Sequence, residues 1–221
     1  MLQTLFFHPL AITPVEVGVA ITTSIAAFAA TNLDDILILM LFFARVDHKL
    51  RPKHIWFGQY LGFGLLLLAS LPGFFGGYFI PRPWLGLLGF LPIAIGFSHF
   101  FRKEETTLQT VHSEVLAHKP QSFLAPQTYQ VATVTIANGG DNIGSYVPLF
   151  ANSTPITLAI TVAVFFIMIA VWCIVANLLS RHPAIAQFIT RYGDRIVPFV
   201  LIGLGIYILV ESKTYELLKA S

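Results

Sequence analysis

Three carboxylates sit where an apolar chain normally has none. Asp34 and Asp35 adjoin each other inside a run that is almost wholly apolar from 15 to 44, and Asp141 lies in a second such run from 128 to 151. Near them stand Thr31, Asn32, Asn138, Asn142 and Ser145. Carboxylate, carboxamide and hydroxyl oxygens are the donor set of a cation site, and they suit Mg, Ca or Mn better than softer metals. A charge near the bilayer centre costs roughly 2.5–3.5 kcal/mol on insertion scales, so intramembrane acids face a polar cavity or a partner. Neither run carries a Lys or Arg, which leaves a bound cation or protons to supply the compensation. The plainer reading, neutral acids that hydrogen-bond helices together, explains one such residue better than three.

On a continuous helix Asn138, Asp141, Asn142 and Ser145 fall at i, i+3, i+4 and i+7, which is one face. Thr31, Asp34, Asp35 and Ile38 hold the matching positions upstream. Gly139 and Gly140 weaken the helix just before Asp141, and Pro148 removes a backbone donor beyond it. A local break there would free carbonyl oxygens to join the site, which a membrane tolerates only beside a lined cavity.

The elements that must position these residues are hydrophobic spans. Of 221 residues 56% are hydrophobic and 11% charged, with a mean hydropathy of +0.75, against about 25% charged in soluble domains. The fold class is therefore all-α integral membrane, with the lipid bilayer as a partner and no nucleic acid expected. Six hydrophobic segments run near 15–44, 55–80, 83–101, 128–151, 156–180 and 195–212. The first is longer than a bilayer requires, so it is tilted, broken or protruding. The start of the chain lacks a basic n-region and a cleavage site, so the first span is expected to serve as its own insertion signal. One cysteine, Cys173, excludes an internal disulfide or a CxxC metal site.

Three segments, a polar linker at 102–127 and three more segments divide the chain into repeats at 1–101 and 128–221. A shift of 107 residues pairs Ala30 with Ala137, Asp34 with Asp141, Ile36 with Ile143, Phe43 with Phe150 and Ala44 with Ala151. An odd number of spans per half makes the halves inverted, a transporter plan that sets the site at their interface near the midplane. Ten Lys and Arg fall in the loops on one side and three on the other. The positive-inside rule then places both termini outside the cytoplasm, in a plasma (inner) membrane protein.

Other polar residues rank lower. Glu16, Glu211 and His99 read as interfacial, and His112, Glu114 and His118 as residues of a polar loop. Met40, Met168 and Cys173 read as packing or lipid contacts. The glycines in Gly58-x-x-x-Gly62, Gly76-Gly77 and Gly203-x-Gly205 read as places of close helix approach.

The stretch Thr31-Asn-Leu-Asp-Asp-Ile-Leu-Ile-Leu-Met-Leu-Phe-Phe43 and the stretch Ala137-Asn-Gly-Gly-Asp-Asn-Ile-Gly-Ser-Tyr-Val-Pro-Leu-Phe150 resemble the two signatures of the cadmium resistance transporter (CadD) family, part of the LysE superfamily of small exporters. The resemblance covers nearly the whole chain. It implies cation efflux, classically of cadmium, through two inverted three-helix halves. Carried over by position, the implied metal site is Asn32, Asp34, Asp35, Asn138, Asp141 and Asn142. The oxygen-rich donors favour manganese or a similar divalent ion beside cadmium.

The function expected is thus secondary export of a divalent metal (Cd, Mn or similar) as substrate, with proton exchange as a candidate coupling and homo-oligomerisation left open. No GxxxxGK[ST] motif supports direct ATP drive. The alternative is export of a small organic cation such as a basic amino acid through the same architecture. An intramembrane aspartyl protease, pairing Asp34 or Asp35 with Asp141, is the weakest reading. Asn138 stands where its Gly-x-Gly-Asp pattern needs glycine, and no enzyme is expected.

Overall fold

Proline and threonine open the helices. The computed structural model describes residues 13–101 and 125–218, without the side chains of 101, 183–194 and 218. Helix α1 (Pro14–Thr31) starts from a capping box in which Thr13 Oγ1 accepts from Glu16 N and the Glu16 carboxylate accepts from Thr13 N. Helix α2 (Leu33–Ala44) follows after one residue. The next helices are α3 (Pro52–Gly76), the short α4 (Arg82–Leu85), a 3₁₀ turn (Gly86–Gly89) and α5 (Phe90–Phe101). The second half of the chain forms α6 (Pro126–Asn138), α7 (Gly140–Ala151), α8 (Pro155–Leu179), α9 (Pro183–Glu211) and a terminal 3₁₀ turn, Thr214–Leu218. Pro14, Pro52, Pro126, Pro155 and Pro183 each sit in a first turn, where a missing N–H costs nothing.

Among the described residues, the helical stretches Pro14–Thr31, Pro52–Gly76, Arg82–Phe100 and Pro155–Leu179 are long and apolar enough to cross a membrane. Helices α3 and α8 have 25 residues each, about 37 Å at 1.5 Å per residue. Two of the expected spans differ from single rods. The first, 15–44, is broken at Asn32 (φ −119°, ψ 17°). The fourth, 128–151, is broken at Gly139 (φ −85°, ψ 21°) into helices of 13 and 12 residues. The single helical face drawn through Asn138 and Asp141 is therefore corrected, because Gly139 separates the helices that carry them. The sixth segment extends further back than 195, as the end of the 29-residue α9. The linker residues His112, Glu114 and His118 lie outside the described residues.

Helix α3 packs along both α6 and α7, α8 packs along both α1 and α2, and α5 packs along α9. Glycine sets the closest of these approaches. A Cβ on Gly58 would stand 2.5 Å from Val131 Cβ, and one on Gly62 would stand 2.8 Å from the Ala132 carbonyl oxygen. Gly77 meets Ala151 and Gly205 meets Gly89 in the same way, whereas Gly76 and Gly203 face open space. At the centre is an aromatic cluster. Phe28 lies 5.2 Å from Phe63 and 5.2 Å, edge-on, from Trp172, while Tyr146 lies 4.6 Å from Phe165. Large apolar side chains such as Phe57, Ile167 and Phe199 point outward, as a lipid-facing surface requires.

Candidate cation site

The two breaks face each other, and the polar residues gather there. Asn32, fully buried, forms the first break. Its Nδ2 donates to the Phe28 carbonyl (2.8 Å), to Thr31 Oγ1 (3.0 Å) and to Tyr146 Oη (2.8 Å). Its Oδ1 accepts from Asn142 Nδ2 at 3.3 Å. Thr31 Oγ1 and Tyr146 Oη share a further bond of 2.7 Å. The aromatic cluster grips the rings of Tyr146 and Trp172 and turns their polar ends toward this junction, the usual role of a buried Tyr or Trp handle.

Asn138 joins the halves. Its Nδ2 donates to Asp34 Oδ2 at 3.1 Å and to Asp35 Oδ1 at 2.7 Å, so one amide uses both hydrogens on two adjacent carboxylates. Asp34 and Asp141 are held alike. Asp34 Oδ1 accepts from Asp35 N, and Asp141 Oδ1 accepts from Asn142 N, each at 3.0 Å. Both lie in the first turn of a helix, where the dipole favours negative charge. Asp35 and Asn142 are almost wholly buried.

The six residues expected from sequence are thus brought to one junction, together with one that the sequence reading left out. Gln59, buried on α3, accepts a 2.6 Å bond from Thr135 and lies against the Asp35 carboxyl. It is the sole carboxamide in the apolar run 55–80, a signal that could have marked it. His99, near the end of α5, lies within electrostatic reach of Asp34. Cys173 is buried in the apolar core, as its packing reading expected, within electrostatic reach of Asp35. The break expected near Gly139 is present, but the Gly139 carbonyl accepts from Ile143 N at 3.2 Å and opens the next helix. At the first break the Asn32 carbonyl accepts from Trp172 Nε1 at 2.7 Å and so serves the fold.

Among the described residues no three His, Cys, Asp or Glu side chains converge on a metal position. A cation here would draw on carboxylates mixed with amide and hydroxyl oxygens, a set that hard divalent ions accept. These elements define an integral membrane protein with an acidic interior built on two broken helices. The model of the cadmium resistance transporter family matches residues 28–220; the chain belongs to that family of transporters. No curated protein and no solved structure matches it.

Proposed function

We propose that this chain exports a divalent metal cation as a secondary transporter, with the ion held where two inverted three-helix halves meet. The observation that carries the reading is the Asn138 amide of the second half shared between Asp34 and Asp35 of the first, inside an apolar bundle. The inverted plan is supported by breaks at corresponding residues, Asn32 and Gly139, each followed by a helix of 12 residues. It is supported too by the exchange of packing: α3 lies on the broken segment of the second half, and α8 on that of the first. Alternating access would then be one half rocking against the other. Cadmium and manganese are the leading substrates, proton exchange the coupling, and a plasma membrane with both termini outside the cytoplasm the setting.

A small organic cation is the second reading, favoured by the absence of three clustered metal-binding side chains among the described residues. Inside-out vesicles separate the two. Cd, Mn, Zn, Ca and Mg are offered singly, then a basic amino acid, each with and without a pH gradient. Accumulation of a metal that is lost in Asp34→Asn supports the first reading. Movement of the amino acid with no metal supports the second.

A further inference from the structure

Ser145 departs from the habit of several buried helical hydroxyls around it. Helical Ser and Thr commonly return the hydroxyl to the carbonyl one turn back. Ser24, Thr31, Ser70 and Thr135 do so, to Ala20, Ala27, Leu66 and Val131, at 2.6–3.1 Å. Ser145 is wholly buried, yet its Oγ takes no hydrogen-bond partner. Leaving such a group unsatisfied costs about 1–3 kcal/mol, so native structures keep one only for a reason.

Three more oxygens share that condition; one, Thr214 Oγ1, lies beside Gly86, and the other two stand on the helices that follow the breaks. Asn142 Oδ1, on the same face of α7 one turn earlier, has no partner, and neither has Asp35 Oδ2. The three residues are 0%, 1% and 3% exposed for Ser145, Asn142 and Asp35. Asp35 and Asn142 are also counterparts, each the third residue of the helix that follows a break. The Asn138 amide occupies the other oxygen of Asp35 and one oxygen of Asp34, and Gln59 lies against the same Asp35 carboxyl, so of the two Asp35 oxygens it is Oδ2 that is left to take a ligand.

We propose that Ser145 Oγ, Asn142 Oδ1 and Asp35 Oδ2 form an inner set of cation ligands, and that Ser145 sets the metal preference. The proposal rests on the divalent-cation reading above. One carboxylate oxygen, one amide oxygen and one hydroxyl are hard donors, which suit a manganese-like ion over a thiophilic one. Exchanging the hydroxyl for a thiol alters the softness of one donor at nearly constant shape.

The test uses the full chain in proteoliposomes, in a Cys173→Ala background so that an introduced thiol is the sole one, with Mn²⁺ and Cd²⁺ as probes. Ser145→Cys is expected to raise the Cd-to-Mn ratio of kcat/KM roughly tenfold, the lower end of what ligand-sphere changes produce. Cd²⁺ added to that variant in detergent should also produce a thiolate-to-cadmium charge-transfer band that the background lacks. Ser145→Ala is expected to raise the KM for Mn²⁺ roughly tenfold, with Ser145→Thr restoring it; these two variants decide the matter if Ser145→Cys does not fold. If the parent protein moves either metal while every folded Ser145 variant keeps its KM and metal ratio and no band appears, the Ser145 assignment is overturned and the transporter reading stands. If the parent moves neither metal, that reading fails, and the absence of a charge-transfer band would remove the inner site with it.

Discussion

The two helix breaks reach similar geometry by opposite means. At the first, Asn32 is anchored by bonds to Phe28, Thr31, Tyr146 and Asn142, and its carbonyl is held by Trp172. At the second, Gly139 has no side chain to anchor, and the space a Cβ would need is filled by Leu66. One break is tied by hydrogen bonds and the other by close packing. The helices that follow carry acids in corresponding places, Asp34 and Asp141, but differ one residue later, Asp35 against Asn142. The likeness gives the site its paired acids. The difference gives the first helix a second ionisable group where the other carries a neutral amide.

The largest expected effect tests the likeness. Asp34→Asn and Asp141→Asn should each reduce metal transport in vesicles to background while the purified protein keeps its thermal unfolding midpoint. Loss in one variant and full activity in the other would show that the two positions are not equivalent. The next effect tests the anchored break. Asn32→Leu keeps the branched skeleton of the side chain but leaves the buried Tyr146 hydroxyl and the Asn142 amide short of a partner, at about 1–3 kcal/mol for each group. A fall in midpoint of several degrees is expected; an unchanged midpoint would mean that the break does not depend on Asn32.

Gly139→Ala tests the packed break. The added Cβ would meet Leu66 Cγ at 3.0 Å, and overpacking of this kind costs about 1–3 kcal/mol. Because Leu66 ends in a flexible side chain, shortening it should relieve the strain. In a double-mutant cycle, Gly139→Ala with Leu66→Ala should therefore lose less stability than the sum of the single changes. Strict additivity would place the cost of alanine elsewhere.

Much of this site was legible in the sequence because buried charge is rare and expensive. Asp34, Asp35 and Asp141 stood out against apolar runs for that reason, and Gly139-Gly140 signalled the second break by weakening the helix. The first break carried no such mark, since Thr31, Asn32 and Leu33 include neither glycine nor proline. There the Phe28 carbonyl accepts the side-chain amide of Asn32 at 2.8 Å beside its ordinary helical partner, the Asn32 N–H at 3.0 Å. Tyr146 and Trp172, more than a hundred residues away in the chain, secure it from outside. The single helical face drawn through Asn138 and Asp141 failed because one glycine resets the periodicity.

The smallest effect concerns Trp172, and it decides what the freed carbonyl of the first break is for. Backbone oxygens released by a helix break can either coordinate an ion or be capped by the protein. The indole N–H at 2.7 Å caps this one. Trp172→Phe retains a ring to pack edge-on against Phe28 and removes only the donor, so stability should fall by about 1–3 kcal/mol, the cost of one buried carbonyl left unsatisfied. If the carbonyl is purely structural, the KM for the transported metal stays at the parent value despite the lower midpoint. A lower KM in Trp172→Phe would mean that the released carbonyl had joined the ion, making the first break a source of ligands that the indole normally withholds.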